Sequence, residues 1–213
     1  MNALSFGVLC FSSLFTVIDP IAVVPVFAAL ARGRGQREIR RIALRACLVA
    51  FGVLLVFAVS GAFLFRIFGI TIDAFRIGGG LVFLMLGLPM LGGAHDAHAS
   101  GDNNPETDGT DPSVVPLGMP LIGGPGAITT VIVLMGQSES AIHKTALFVA
   151  LILALALTLL VLLVAPMLTR RIPKSGLTLI TKLMGLIIVV IGVQFVIDGV
   201  RPVAVDILRS ASA

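Results

Sequence analysis

Twenty consecutive residues without a charge separate Arg45 from Arg66, and the pattern recurs: 18 from Ile77 to Ala94, 27 from Pro112 to Ser138 and 25 from Thr145 to Thr169. About 20 apolar residues cross the hydrocarbon core of a bilayer as a helix, so runs of this length need lipid as their solvent. Met1 to Ala31 adds a further stretch whose one charged side chain is Asp19, and a last one starts near Ser175 and tolerates Lys182 before Asp198. With 57% hydrophobic and 12% charged residues, the chain lacks the polar surface of a soluble globule, which sets soluble enzymes aside. The runs do not alternate apolar with polar residues, as barrel strands would. The expectation is an all-α membrane protein with six transmembrane helices, near 5–31, 46–66, 71–92, 113–136, 145–169 and 176–198. The first stretch reads as a span and not as a cleaved signal, since no Lys or Arg precedes it and Asp19-Pro20 interrupts it.

Charge placement gives orientation. Six of the fifteen basic residues fall within Arg32 to Arg45, between two apolar runs, as in a cytoplasmic loop and not a nucleic-acid patch. Arg170, Arg171 and Lys174 then share that side, against Arg66, Arg76, Lys144, Arg201 and Arg209 opposite, and both termini lie outside. The loop from Gly92 to Asp111 holds acids and histidines, which carry little topological weight, and its Gly, Asp, Asn and Pro content suggests a flexible cytoplasmic linker over 93–112. It separates a three-helix segment at 1–92 from another at 113–213.

The two segments resemble each other. Asp19-Pro20 precedes Gly124-Pro125 by 105 positions, and Arg76-x-x-Gly79 precedes Lys182-x-x-Gly185 by 106. Because three spans are an odd number, the second copy crosses the membrane in the opposite sense, which predicts two inverted three-helix repeats with broken helices 1 and 4. Inverted repeats characterise many secondary transporters, where related bundles rock about a central site. Chance coincidence in a Gly-rich membrane chain is the plainer reading.

Candidate chemistry sits at the breaks. Asp19, Pro20 and Pro25 interrupt an apolar span, and each proline removes a backbone donor and frees a carbonyl. Broken helices at membrane depth survive where they are buried or line a polar cavity. An unpartnered aspartate there is costly, which makes Asp19 a candidate for coupling a proton or cation; alternatively it only caps a helix resuming at Pro20. In the fourth span, three prolines and four glycines in the 11 residues from Pro116 to Gly126 forbid a regular helix. A helix starting near Pro125, after Gly123 and Gly124, would turn the N–H groups of Gly126, Ala127 and Ile128 toward an anion such as a substrate carboxylate. The same glycines would serve close helix packing. Thr129 and Thr130 offer hydroxyls to a substrate or to their own preceding turn. Arg76 and Lys182 lie one to two turns inside their helices, as gate charges or as snorkelling side chains. Gln194 stands four residues before Asp198 on the sixth helix, facing a cavity or the outer interface.

Other signals fail. His95-x-x-His98 lacks a third ligand, and no P-loop, His-Glu-x-x-His or Gly-x-Ser-x-Gly pattern is present, so neither a resident metal, a cofactor nor an enzymatic activity is expected. Cys10 and Cys47 lie within apolar runs and read as small buried hydrophobes.

Taken together these residues resemble the MarC-type integral membrane proteins. The likeness covers all six spans and rests on Asp19-Pro20-Ile21 with Pro25, Phe75-Arg76 with Gly78-Gly79, and the long Val115 to Thr130 motif. Met184-Gly185, Gln194-Phe195 and Asp198-Gly199 extend it. It implies a multi-pass protein of a bacterial or archaeal plasma membrane, in some members a transporter of small neutral amino acids; the expectation here is an exporter or exchanger of one such as alanine or glycine, with Asp19 handling a coupling proton or sodium ion. Lipid is its expected surroundings, and a homo-oligomer is compatible with it. A channel for small solutes and a non-transporting scaffold or regulator are the competing classes. Where such proteins commonly continue Gly-Asn after Asp-Pro-Ile, this chain has Ala22-Val23, which makes the first-half site less polar.

Overall fold

A computed structural model describes residues 2–31, 33–92, 113–169 and 174–211. Every regular element among them is helical: α1 (Ala3–Ile18), α2 (Pro20–Leu30), α3 (Gln36–Phe68), α4 (Ile72–Leu91), the π-helical segment π1 (Ser113–Ile122), α5 (Pro125–Gly136), α6 (Ala141–Thr169) and α7 (Lys174–Ala211). The expected linker at 93–112 and its histidines lie outside the described residues.

Five helical stretches among the described residues are long and apolar enough to cross a membrane: Ala3–Ala28, Gln36–Phe68, Ile72–Leu91, Ala141–Met167 and Lys182–Ser210. The expected fourth span differs. It divides at Gly123 and Gly124 into the 10-residue π1 and the 12-residue α5. Twelve residues of α-helix extend about 18 Å, well short of the about 30 Å core, so neither piece spans alone. Pro116 and Pro120 within π1 supply no N–H to an i→i−4 ladder, which is why that segment departs from α-helical pairing.

Helix ends also reach further than the apolar runs. Glycine at Gly35 starts α3 ten residues before the expected boundary, so Arg37, Arg40, Arg41 and Arg45 ride on its first turns. The helix stops where Gly69 adopts a left-handed conformation (φ 63°) and donates to Arg66 and Phe65 carbonyls. Thr71 Oγ1 then accepts from the Ala74 N–H at 3.1 Å and starts α4. At the far end α7 continues past Asp198 and Pro202 to Ala211. Charge marks where a helix leaves hydrocarbon, not where its hydrogen bonding ends.

The apolar residues face mainly outward. Only 22–39% of each spanning window is buried, while Leu4 (82% exposed) and Met85 (75% exposed) stand on the rim. In water such a surface would aggregate; in lipid it costs nothing to expose.

Inside, packing runs predominantly between the first four helices and the elements after residue 112. The α1–α2 pair lies on α6, π1 and α5 lie on α3, and α4 makes its longest contact with α7. Each partner offers small residues where backbones approach. Gly80 meets Gly192, Gly87 meets Gly185, and Gly199 meets the Asp73 carbonyl, forming an antiparallel seam with glycines seven residues apart on α7. A Cβ at Gly80 or Gly192 would stand 2.5 or 2.8 Å from the partner's carbonyl oxygen. On α3, Ala43, Ala46, Ala50, Ala58 and Gly61 are all buried, with Ala50 against Gly123 and Gly61 against Ile132 of α5. The elements before residue 93 and those after residue 112 therefore interlock.

Candidate functional site

The two helix breaks meet. After α1, Asp19 takes a left-handed conformation (φ 41°), the one positive φ at a non-glycine among the described residues. Its N–H still donates to the Phe15 carbonyl at 3.1 Å, closing α1, while its Oδ1 accepts from the Ala22 N–H at 3.3 Å, capping α2. Proline at position 20 keeps Asp19 out of the right-handed helical region, so α1 cannot run on through it. On the other side, Gly124 precedes Pro125 with φ −71°, ψ 174°, and α5 begins there. A Cβ on Gly124 would strike the Pro120 carbonyl oxygen, so only glycine allows the chain to pass.

Asp19, Gly124, Gly126 and Ala127 line one cavity of about 60 Å³, walled by Val17, Ile18, Phe83, Ile188 and Phe195. Both α2 and α5 present N-terminal ends to it, so two positive dipole ends face one carboxylate. The Ile128 N–H donates to the Gly124 carbonyl at 3.0 Å. It is therefore not free for a ligand as its position in the motif suggests, and the first-turn donors of α5 reduce to Gly126 and Ala127. A cavity of this volume holds a few waters or a small ion.

A second, larger space adjoins it. An open cleft of about 660 Å³ runs between α1, α4 and α5 and shares Val17 with the cavity wall. Its polar lining comprises Ser12, Ser13, Thr16, Arg76, Thr129, Thr130 and Gln137. Arg76 is partly buried and touches Asp73 through one terminal nitrogen at 3.4 Å. Thr129 Oγ1 donates to the Gly126 carbonyl at 2.9 Å and is buried, so it serves its own turn.

The remaining expected residues have other places. Pro20 and Pro25 are buried in α2. Gly123 lies against Ala50 of α3, and Pro125 fills the space left by the missing side chain of Gly79. Lys182 is exposed on α7 and lines neither space. Gln194 donates to Asp198 Oδ1 at 2.7 Å on an exposed face, so the pair occupies itself and not the cavity. Its neighbour Phe195 is the residue that turns inward, with ring centroid 5.8 Å from that of Phe83. Sequence reasoning passed over Ser13, Thr16, Gln137 and the two phenylalanines; the signal available was three hydroxyl residues within Ser12 to Thr16 of an apolar span. Among the described residues no three His, Cys, Asp or Glu side chains gather as a metal site.

These features define a polytopic α-helical membrane protein whose two helix breaks meet at one cavity, lined by buried Gly124, Gly126 and Ala127 and by the exposed Asp19. The sequence description "MarC family integral membrane protein" matches residues 4–204, and the chain belongs to that family. It is 34% identical over 199 residues to the UPF0056 membrane protein MJ1677 of Methanocaldococcus jannaschii, covering 93% of this chain and 97% of that one. A UPF0056 membrane protein of Aquifex aeolicus is 37% identical over 209 residues, covering 92% and 94%. YvbG of Bacillus subtilis, also a UPF0056 membrane protein, is 34% identical over 201 residues, covering 92% and 95%. No solved structure matches the chain.

Proposed function

We propose that this protein is a secondary transporter of small neutral amino acids, moving them outward by alternating access of two inverted three-helix repeats. The observation that carries the reading is the convergence of both helix breaks on one cavity holding Asp19 and the first-turn donors of α5. Half-helix ends pointing at a shared centre suit a substrate with a carboxylate and a coupling cation. In this reading Asp19 handles the proton or sodium ion, and Gly126 and Ala127 approach the substrate carboxylate.

The repeat reading draws support from register. A shift of 105 residues takes Pro20 to Pro125, Gly80 to Gly185 and Gly87 to Gly192, so the contact Gly80–Gly192 exchanges with Gly185–Gly87. One offset thus serves the breaks and the seam, in place of the 106 suggested by Arg76 and Lys182. The crossed packing of α1–α2 on α6 and of π1–α5 on α3 follows the same exchange. With the arginines of early α3 inside, both termini lie outside a bacterial or archaeal plasma membrane.

Counterflow of radiolabelled alanine, glycine, serine and threonine in proteoliposomes tests the proposal. Saturable, substrate-accelerated uptake is expected for at least one of them. Flux that rises linearly without counterflow identifies a channel, and absence of both uptake and ligand-dependent thermal stabilisation identifies a scaffold.

A further inference from the structure

Among the described residues, most hydroxyls of the helices are spoken for. Ser12 donates to Leu9, Ser60 to Val56, Thr129 to Gly126, Ser138 to Leu134, Thr145 to Ala141 and Thr158 to Ala154, all at 2.7–3.1 Å to carbonyls of their own helix or of the helix just before. Ser13, Thr16 and Thr130 make no such bond and have no protein partner among the described residues. All three line the open cleft, and so do the Gln137 amide and the Arg76 guanidinium. Arg76 uses one nitrogen, at 3.4 Å, on Asp73. A guanidinium has five N–H donors, so most of its capacity remains.

Hydrocarbon against this face would leave a cation and three hydroxyls without partners, at several kcal/mol for the charge alone. The cleft is therefore wet. Its volume, about 660 Å³, exceeds that of the inner cavity, about 60 Å³, more than tenfold. A whole small organic ligand fits the former and not the latter.

We propose that the cleft between α1, α4 and α5 is a binding site for a small carboxylate-bearing molecule, with Arg76 holding the carboxylate and Ser13, Thr16, Thr130 and Gln137 holding its polar remainder. Among the described residues no carboxylate lines the cleft, so its recognition is of an anion and not of an amine. Resting on the transport reading, this makes the cleft the outer station of the substrate, the last before release, separated from Asp19 by Val17, which walls both spaces, and by Phe195. Val17 Cγ1 and the Phe195 ring would lie within 2.9 Å of any Cβ at Gly126, so these two side chains close the way inward.

Thiol labelling tests the site without requiring transport. In nanodiscs, where both membrane faces are accessible, a Thr16→Cys variant should react with a sulfonate-bearing methanethiosulfonate faster than with a trimethylammonium-bearing one. After normalisation to a free thiol the preference should be roughly tenfold, the size of local steering by one cation. Arg76→Gln on that background should erase the preference, and Arg76→Lys should keep it, which guards against a merely misfolded variant. Native Cys10 and Cys47 are buried, and the unsubstituted protein serves as the unreactive control. Acetate and alanine should slow labelling, whereas methylammonium should not. An inert thiol at position 16, labelling indifferent to reagent charge, or equal protection by methylammonium and acetate would each overturn the site. Charge-selective labelling with acetate protection, in a protein that shows no counterflow, would uphold the anion site while removing the transport reading.

Discussion

One backbone angle, φ 41° at Asp19, lets a single residue end α1 through its N–H and begin α2 through its side chain. Asparagine can do both, because its amide caps a helix start and it tolerates the left-handed region. Asp19→Asn should thus keep its melting temperature while ion-gradient-driven uptake into proteoliposomes falls by orders of magnitude and exchange persists; unchanged driven uptake would reduce Asp19 to a cap. Asp19→Ala should in addition lose about 1–2 kcal/mol of stability, through the missing cap and the left-handed Cβ. At Gly126 a methyl group meets the ends of Phe195 and Val17, at 2.7 and 2.9 Å, which can swing aside. Gly126→Ala should therefore weaken ligand binding about tenfold or more by calorimetry, with a small change in melting, the loss of one charge-assisted hydrogen bond being of that size. Gly79→Val, whose side chain would enter the Pro125 ring, should instead lower stability by about 1–3 kcal/mol. Asp19 and the Gly124 to Ala127 turn were legible in the sequence, because proline and glycine act on their own neighbourhood. The free hydroxyls of Ser13 and Thr16 were not, and for Thr130 the sequence left open whether it bonds its own turn or a ligand. Whether a hydroxyl bonds its own turn or faces a cleft is decided by what packs beside it, and the same holds for Gln194 turning out while Phe195 turns in.

At the scale of elements, the seam between α4 and α7 depends on carbonyl oxygens that glycine alone admits. Gly192→Leu should destabilise the protein by about 3 kcal/mol, the upper part of the overpacking range, because its Cβ meets the backbone of α4 and not a movable side chain. Gly52 of α3 has nothing within 4 Å of an added Cβ. Gly52→Ala should raise stability by about 0.5–1 kcal/mol, as expected for removing a glycine from a helix interior, and thermal unfolding in detergent would compare the two. Hydropathy revealed where apolar helices run, since lipid solvation imposes that pattern on every span. It overstated the fourth, where Pro116, Pro120 and Pro125 break a 27-residue uncharged run into pieces too short to cross. It understated α3 and α7, since a helix persists into polar surroundings as long as its hydrogen bonds do.

For the molecule as a whole, orientation is the first quantity to check. With early α3 in the cytoplasm, a reporter fused after Ala213 should behave as extracytoplasmic and one inserted at Gly101 as cytoplasmic, and activity of a cytoplasm-only reporter at the C-terminus would reverse the assignment. A different consequence follows from the way α1 to α4 lie on the elements after residue 112 and scarcely on one another. Covalent continuity between the halves is then a convenience of synthesis and not a source of order. Severed within 93–112 and made as two polypeptides, the protein should reassemble in the membrane into a heterodimer that co-purifies through the α4–α7 seam. Either fragment expressed without its mate should be cleared by proteolysis, having no sibling helices to lie against. Gly192→Leu in the second fragment should abolish the rescue, which turns a single buried contact into a readout of complementation between two genes.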